Sequence, residues 1–437
     1  MKKESTLTKC WIWFAAIAGF LYSFEGLWGN AARPICAVIG WISLACAVYC
    51  IIAGELLHRW DTWLFAAFLL MTCISAFAGY GLAPRYFTSI FFCVWLFLAG
   101  IYFLMQTTPQ PELLLKRFTV MYILGLSLLN LYVLVCATAS LFSQIPGEDM
   151  MNGCFYQGRL CGISNTNIFS FSSAALLLLS IFGWLDTTPR KRWPYLLAAL
   201  LGWFTLGLTN CRTAIIGVSV AIGLFVFVAA WRRKPGMIGF LTALLTGGLT
   251  VLLVSLLFYL PVYIYRWILH MIVIITGNQS LENNLAALSM RFLTDDNGTL
   301  TSRTLIWSKV FRDLAASPRN ALLGISSISE GMITNIDPLK PEFQVTHAHN
   351  SYLELLRRFG IPGFLFCMGL VVIWCIRGTK VFLDRQREKS AVFLMGAAAG
   401  ILLMGLTEQM PFPYGKARGL APLFFLICGY CMRSHEE

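Results

Sequence analysis

Charged residues are scarce in this sequence. They make up 12% of its 437 residues, whereas hydrophobic residues make up 58%, and the mean hydropathy is +0.70. Soluble domains carry about 25% charged residues, so the composition excludes an ordinary soluble domain. The glycine patterns of nucleotide-binding loops are also absent from the sequence. ATP-driven transport by this chain therefore has no support.

Apolar segments recur along the whole length of the chain. They are continuously apolar rather than alternating, which indicates helices and not a transmembrane barrel. We predict an all-α integral membrane protein with about twelve transmembrane helices. The predicted spans are 10–24, 34–54, 62–82, 86–105, 118–141, 166–185, 194–209, 213–231, 237–264, 361–376, 391–409 and 420–432.

Basic residues outnumber acidic ones by 33 to 21, and they fall unevenly between alternate loops. With the N-terminus inside, the inner segments carry Lys2, Lys3, Lys9, Arg59, Lys116, Arg117, Arg190, Lys191, Arg192, Arg232, Arg233, Lys234, Arg377, Lys380, Arg385, Arg387 and Lys389. The short outer loops carry only Arg33, Arg85, Arg159, Arg212, Lys416 and Arg418. The bias predicts that both termini are cytoplasmic. It also accounts for the net charge of +12 without a nucleic-acid partner.

One long polar segment divides the predicted spans into two groups. We predict about nine transmembrane helices in residues 1–264, a large extracytoplasmic loop at 265–350, and about three helices in residues 351–437. Within the loop, the sequence predicts a short amphipathic helix that Thr301 or Ser302 caps. The predicted apolar stripe of this helix is Ile306, Val310, Phe311 and Leu314, and the predicted breakers after it are Pro318, Asn320 and Gly324.

The segment that re-enters the membrane carries His347, His349 and Asn350. Ser351 followed by Glu354 has the spacing of a capping box, which predicts a helix from about Tyr352. Gly360 is expected to end or loosen this helix, and Pro362 suits the first turn of the next one. His349 is thus expected beside a helix N-terminus, where an anionic ligand is favoured.

A second candidate is Arg212, which lies between two apolar runs with almost no loop. An arginine at that depth is costly unless it has an anionic partner, so it is a functional candidate. The alternative is an arginine that extends its side chain to the membrane surface from a helix end. Glu408 is expected either to pair with an arginine such as Arg212 or to lie in a polar loop.

These residues occur in patterns that resemble a known family. The first is His349-Asn350, which nine intervening residues separate from Gly360-x-x-Gly363. The second is the helix with Ser302, Arg303 and Trp307, followed by Pro318 and Gly324. The third, further upstream, is Arg159, Gly162, Asn165 and Asn167. Together they resemble the O-antigen ligase and polymerase family of membrane glycosyltransferases. The family's Gly-x-Gly turn is Gly324-Ile-Ser326 here. The resemblance implies a fold like that of the GT-C glycosyltransferases and an active site on the outer face of a bacterial cytoplasmic membrane.

The resemblance implies a donor glycan on undecaprenyl diphosphate and an acceptor that is a glycan or a lipid. Arginines stabilise the charge of a departing diphosphate with paired hydrogen bonds, and Arg212 and Arg303 are the first candidates, followed by Arg159. His349 is the candidate that orients or deprotonates the acceptor hydroxyl, and His347 is a second candidate. Asn350, Trp307 and Glu408 are expected at the substrate site. Arg357 and Arg358 either rim the membrane or contact phosphate or glycan.

The sequence has no Asp-x-Asp motif and no dense carboxylate cluster. We therefore expect no metal and no cofactor, and an inverting displacement, because no residue demands a covalent intermediate.

Three functions stay open: a polymerase of polysaccharide repeat units, a ligase that moves a finished glycan to a lipid core or protein, and a transporter or flippase. We favour the polymerase because no second acceptor-binding domain is recognisable. A flippase or a chain-length regulator is an expected partner. A disulfide between Cys154 and Cys161 is an open question.

Overall fold

The computed structural model describes residues 6–80, 84–142, 154–156, 159–162, 166–287, 299–325, 332–337, 344–384, 388–412 and 419–433. Over these ranges the chain is almost entirely helical. The helices are α1 Thr6–Ser23, α2 Ala32–Ala53, α3 Trp60–Tyr80, α4 Pro84–Phe87, α5 Ile90–Thr107, α6 Pro111–Leu141, α7 Thr166–Asp186, α8 Trp193–Thr209, α9 Arg212–Arg233, α10 Met237–Leu257, α11 Leu260–Thr276, α12 Gln279–Ala287, α13 Thr299–Ala315, α14 Pro318–Leu323, α15 Ser351–Leu383, α16 Lys389–Met404 and α17 Ala421–Arg433.

The predicted spans coincide with helices. Within the described ranges, eight helices are long and apolar enough to cross a membrane, and α8, α16 and α17 are shorter apolar helices. The prediction of an all-α, multi-pass membrane protein is confirmed. Several bounds differ. The predicted span 237–264 is divided, because α10 ends at Leu257 and α11 begins at Leu260 and runs on to Thr276. The predicted span 391–409 ends earlier, with α16 at Met404, and the span 118–141 begins earlier, with α6 at Pro111. Trp267 on α11 is 64% exposed.

The core of the bundle surrounds α5, of which 83% is buried, whereas an 18-residue apolar stretch of the span that contains α10 and α11 is only 11% buried. Aromatic rings fill the space between α5 and its neighbours, and Trp95, Tyr102 and Phe97 are almost fully buried. The leucines of α10 face outward. Since lipid chains are as apolar as leucine, this exposure is normal for the outside of a membrane bundle.

Two three-residue strands, β1 Cys154–Tyr156 and β2 Arg159–Cys161, form an antiparallel pair. The register places Cys154 opposite Cys161. The Sγ of Cys161 lies 2.9 Å from Oγ1 of Thr166, at the start of α7. The pair therefore delivers Arg159 to the N-terminal end of α7, and the thiol of Cys161 is free.

A kink divides α15 where it enters the bundle. The helical geometry is interrupted at Gly360, which has φ 66° and ψ −173°. This confirms the expected break at Gly360. A glycine is needed there because other residues rarely adopt positive φ. The kink separates a first segment, from Ser351, from the long apolar segment that begins at Ile361.

Candidate functional site

The loop before α15 is anchored by Asn350, which caps the helix. Its Oδ1 accepts hydrogen bonds from the backbone N–H groups of Tyr352 and Leu353, each at 3.0 Å, and its amide donates to the carbonyl of Leu406 at 3.0 Å. The predicted capping box at Ser351 is therefore wrong. Asn350 competes successfully for the cap because an asparagine is as good a capping residue as a serine. The helix begins at Ser351, one residue before the predicted start.

Glu354, the other half of the predicted capping box, forms a different network. Its carboxylate accepts a hydrogen bond from the backbone N–H of Ala348 at 3.0 Å and pairs with Arg357 at 2.7 Å and Arg358 at 2.6 Å. Arg357 and Arg358 are only 3% and 7% exposed. The structure thus places both arginines inside the protein on Glu354, where they hold the His347–His349 loop against α15.

The side chain at the centre of the candidate site is Glu408, in the turn after α16. It is 3% exposed. Its Oε1 accepts a hydrogen bond from the amide of Asn167 at 2.9 Å and lies 3.3 Å from Nη2 of Arg303, while its Oε2 lies 3.5 Å from Nδ1 of His349. Three elements that are far apart in sequence therefore meet on one buried carboxylate.

Arg159 joins this cluster through Asn167. Its Nη2 donates to Oδ1 of Asn167 at 3.0 Å, and its Nε donates to the carbonyl of Thr209 at 2.8 Å. The amide of Asn167 thus accepts from Arg159 and donates to Glu408. Because Arg159 is 9% exposed, its charge lies in a poorly solvated place, where an anion would be held strongly.

The two histidines lie side by side, with ring centroids 4.1 Å apart. Burial, reinforced by the neighbouring His349, lowers the pKa of His347 to about 4, so this imidazole is neutral at pH 7. Burial disfavours the charged form of Glu408, but His349, His347 and Arg303 together hold the pKa of its carboxyl below the ordinary value. The cluster therefore contains an ionised carboxylate beside a neutral imidazole.

His349 has a left-handed backbone conformation, with φ 48°. Such conformations cost energy in residues other than glycine and are frequent at functional sites. The 3.5 Å contact between its Nδ1 and Glu408 is long for a hydrogen bond. Contacts of this kind commonly shorten when a substrate binds. A shorter contact would orient the ring and leave Nε2 for an acceptor hydroxyl.

The same side chains could hold a metal ion. One ligand atom from each of His347, His349 and Glu408 lies within 4.8 Å of the others. Ligands that share a zinc ion at tetrahedral geometry are only about 3.3 Å apart, so the loop would have to tighten. Positive charge is already present here, because Arg303 lies 3.3 Å from the same carboxylate.

Helix α13 positions Arg303. Its apolar stripe packs into a small separate core, in which Ile306, Val310 and Leu314 are 2%, 0% and 7% exposed. The predicted stripe is correct at these positions and wrong at Phe311, which is 54% exposed. The helix also begins earlier than predicted, at Thr299. Trp307 belongs to this anchor, since its indole N–H donates to the carbonyl of Ala348 at 2.9 Å.

The two motif glycines meet at the junction of α14 and α15. A Cβ on Gly324 would lie 2.3 Å from the carbonyl oxygen of Arg358, and a Cβ on Gly360 would lie 2.4 Å from that of Leu322. The backbone N–H of Ile325 donates to the carbonyl of Arg357 at 2.7 Å. The glycines are therefore needed for close backbone contact, and this contact docks the loop helices onto the membrane helix.

Arg212 is the first residue of α9 and has an exposed side chain. The next residue, Thr213, has its hydroxyl 2.9 Å from that of Thr407, so the start of α9 adjoins the Glu408 turn. Glu408 contacts Arg303 directly, whereas the expected pairing of Glu408 with Arg212 stays a prediction. Arg212 thus lies at the rim of the cluster rather than at its centre.

Sequence reasoning names every side chain of the cluster but not its arrangement. Asn167 is part of the family pattern without a role, and the structure places it between Arg159 and Glu408. Two residues separated by 241 positions make the second of these contacts. No local pattern in a sequence reports a contact of that range.

Comparison with known proteins agrees with this picture. The chain matches none of the curated proteins at a significant level. Residues 196–368, from α8 through the first half of α15, match the model of the O-antigen ligase family. This range contains Arg212, Arg303, His347 and His349. Residues 196–368 of this multi-pass membrane protein thus form a domain that matches the O-antigen ligase family.

Proposed function

We propose that the chain is a glycosyltransferase of the bacterial cytoplasmic membrane that takes its glycan from a polyprenyl diphosphate, in particular undecaprenyl diphosphate. The observation that carries the proposal is the cluster around Glu408, where Arg303, His349 and, through Asn167, Arg159 converge. A site with one buried and one partly exposed arginine beside a histidine suits a reaction in which a diphosphate leaves and a hydroxyl attacks.

In the proposed mechanism the arginines act on the leaving group. When the bond between the sugar and the diphosphate breaks, negative charge develops on the phosphate oxygen. Arg303 and Arg159 donate N–H groups to these oxygens, with Arg212 at the rim as a third donor. The diphosphate departs with the electron pair of the broken bond, and the arginines supply the positive charge that this step requires.

The histidine acts on the other substrate. The acceptor hydroxyl attacks the anomeric carbon from the face opposite the diphosphate, so the configuration inverts. His349 accepts the proton of this hydroxyl as the new bond forms, and the ionised Glu408 stabilises the resulting imidazolium. General-base assistance of this kind contributes roughly 10²–10⁴-fold to a rate. His347 stays neutral beside it because burial lowers its pKa to about 4.

We favour polymerisation of repeat units at the outer face of the membrane, with both termini cytoplasmic. A ligase is the second candidate, and the description of the matched family as O-antigen ligase favours it. The two reactions share the donor site and differ only in the acceptor. A flippase that supplies the donor and a regulator of chain length are the expected partners.

The discriminating experiment uses the purified chain in lipid nanodiscs with a lipid-linked repeat unit and, in parallel, a lipid-core acceptor. A polymerase gives a ladder of longer lipid-linked glycans from the donor alone. A ligase gives one transfer, and only when the core acceptor is added. The proposed function would be refuted if the protein produced no ladder and no transfer and released no polyprenyl diphosphate.

A further inference from the structure

Beside the candidate site, a buried hydrogen-bond network joins α6, α7 and α8, and the proposed mechanism does not use it. Its centre is Asn130 of α6, which is 0% exposed. The Oδ1 of Asn130 accepts hydrogen bonds from the hydroxyls of Ser173 on α7 and Thr205 on α8, each at 2.7 Å. Its amide donates to the carbonyl of Leu126 on α6 at 2.7 Å. Both lone pairs of the oxygen are thus in use, so the side chain is held in one orientation.

The helices that Asn130 joins also carry the two groups that hold Arg159. On α7, Asn167 lies six residues before Ser173, which is about 9 Å along the helix. On α8, Thr209 lies four residues after Thr205, which is about 6 Å. Arg159 spans the gap, because it donates to Oδ1 of Asn167 at 3.0 Å and to the carbonyl of Thr209 at 2.8 Å. Asn130 and Arg159 therefore connect the same pair of helices at two successive levels.

The contact between α7 and α8 at the level of Asn130 is made by backbone. A Cβ on Gly202 of α8 would lie 2.9 Å from the backbone nitrogen of Leu177 and 3.1 Å from the carbonyl oxygen of Ser173. A glycine lets two helices approach closely, but apolar contact is not directional and does not by itself fix how far one helix is shifted along the other. Hydrogen bonds are directional, so the two hydroxyls on Asn130 supply this information.

We propose that Asn130 is a positioning residue for Arg159; the proposal rests on the proposed function, in which Arg159 holds the donor diphosphate. By binding both hydroxyls, Asn130 fixes the shift of α7 along α8 and so the distance that Arg159 has to span. A further shift of about 1 Å would lengthen one of the two bonds of Arg159 beyond hydrogen-bond range. A misplacement of this size at a reacting group costs up to about 10²-fold in rate.

Loss of the Asn130 amide leaves both hydroxyls with another acceptor in their own helix. The hydroxyl of Thr205 lies 2.8 Å from the carbonyl of Leu201, and that of Ser173 lies 3.4 Å from the carbonyl of Phe169. Serine and threonine in helices commonly donate to such a carbonyl. Asn130→Leu therefore removes the connection between the helices without leaving a buried hydroxyl unpaired, and the bundle should still fold.

The first test is a double-mutant cycle between Asn130→Leu and Arg159→Lys, measured as single-turnover transfer in nanodiscs. Asn130→Leu alone should lower transfer about tenfold, because Arg159 is misplaced. In the Arg159→Lys background, where an ammonium cannot bridge Asn167 and Thr209, the same change should cost less than about twofold. Factors that simply multiply, as is normal for distant and independent sites, would overturn the proposal. So would unchanged transfer in Asn130→Leu.

Threonine variants provide the matched controls. Thr205→Val removes one hydroxyl and should lower transfer about threefold, because one of the two bonds to Asn130 remains. Thr205→Ser keeps the hydroxyl and should recover the rate. The hydroxyl of Thr138, also on α6, contacts that of Tyr265 on α11 at 2.8 Å instead of α7 or α8, so Thr138→Val should leave transfer unchanged. Equal losses in Thr205→Val and Thr205→Ser, or in Thr205→Val and Thr138→Val, would contradict the positioning role.

The second test measures the positions of the helices without catalysis. Cys161 lies 2.9 Å from Thr166 at the start of α7, and Cys211 lies two residues after Thr209, at the end of α8. The two thiols are only 5% and 3% exposed. Asn130→Leu should raise the rate at which a small maleimide alkylates both thiols at least about fivefold, as mass spectrometry of the separate peptides would show. Thr138→Val should leave both rates unchanged.

Equal alkylation rates in Asn130→Leu and the unmodified protein would refute the role of Asn130. This outcome is separate from a failure of the proposed function. If the unmodified protein transferred no glycan from any donor, the proposed function would fail, while the alkylation rates would still decide whether Asn130 sets the position of α7 relative to α8.

Discussion

Removing the charge of Glu408 should separate the two halves of the proposed mechanism. Glu408→Gln keeps the shape of the side chain, and its remaining oxygen can still accept the hydrogen bond from Asn167. It removes the anion that faces Arg303 and His349. In the free protein this carboxylate competes with the donor diphosphate for Arg303, so its loss should strengthen donor binding while it weakens catalysis.

The magnitude follows from the geometry. Two full charges at the 3.3 Å separation of Arg303 and Glu408 attract by roughly 5 kcal/mol at an effective dielectric constant of 20. The side chain of Arg303 is 22% exposed, and desolvation offsets much of this energy, so we take about 1 kcal/mol as the net value. Donor affinity should thus rise about fivefold. Turnover should fall about 10²-fold, because the imidazolium of His349 loses its counter-ion.

The assay measures donor binding and single-turnover transfer on the same nanodisc preparation. Glu282→Gln is the matched control, since Glu282 is an exposed acid on α12 whose side chain contacts only Gln279 among the described hydrogen bonds. It should leave both quantities unchanged. Weaker donor binding in Glu408→Gln, or turnover equal to that of the unmodified protein, would refute the reasoning.

Four further predictions follow from the site. Arg303→Lys should lower transfer at least tenfold, because an ammonium cannot replace a bidentate guanidinium, as donor titrations would show. Turnover should persist in excess EDTA, and loss of activity that magnesium or manganese restores would contradict this. Gly360→Ala should lower the free energy of unfolding by about 2–4 kcal/mol, as thermal unfolding would show, and Gly277→Ala by only about 1 kcal/mol. Both glycines have positive φ, but only at Gly360 would the added Cβ meet a carbonyl oxygen, at 2.4 Å. Acidification from pH 7 to pH 5 should lower the Tm. The pKa of His347 is about 4 in the folded protein and about 6.5 in the unfolded chain, so between these pH values the unfolded chain binds a proton that the folded protein does not. His347→Gln should therefore reduce the dependence of the Tm on pH.

The membrane architecture could be predicted from the sequence because hydropathy is a local property. Each predicted span contains enough apolar residues to be recognised on its own, and the break at Gly360 follows from a single residue type. Hydropathy misses the interruption between Leu257 and Leu260, because both flanking helices are apolar, and the local signal for it is Pro261 in the first turn of α11. Hydropathy does not distinguish one long helix from two short ones.

The candidate site could be predicted in membership but not in arrangement. Asn350 and Ser351 are both good capping residues, and only the contact of Asn350 with Leu406 decides between them. Arg357 and Arg358 are expected from the sequence at the membrane rim or near substrate, yet tertiary packing places them on Glu354. In each case the folded arrangement, rather than the local pattern, determines the outcome.

The most direct test of the central claim is His349→Ala, measured for donor binding and for transfer in the same nanodisc preparation. The variant should bind the lipid-linked donor with unchanged affinity, because Arg303 and Arg159 hold the diphosphate, while single-turnover transfer should fall by at least about 10²-fold. Exogenous imidazole should restore part of the rate. Transfer at the rate of the unmodified protein, or donor binding lost in parallel with transfer, would contradict the assignment of His349 as the base that acts on the acceptor.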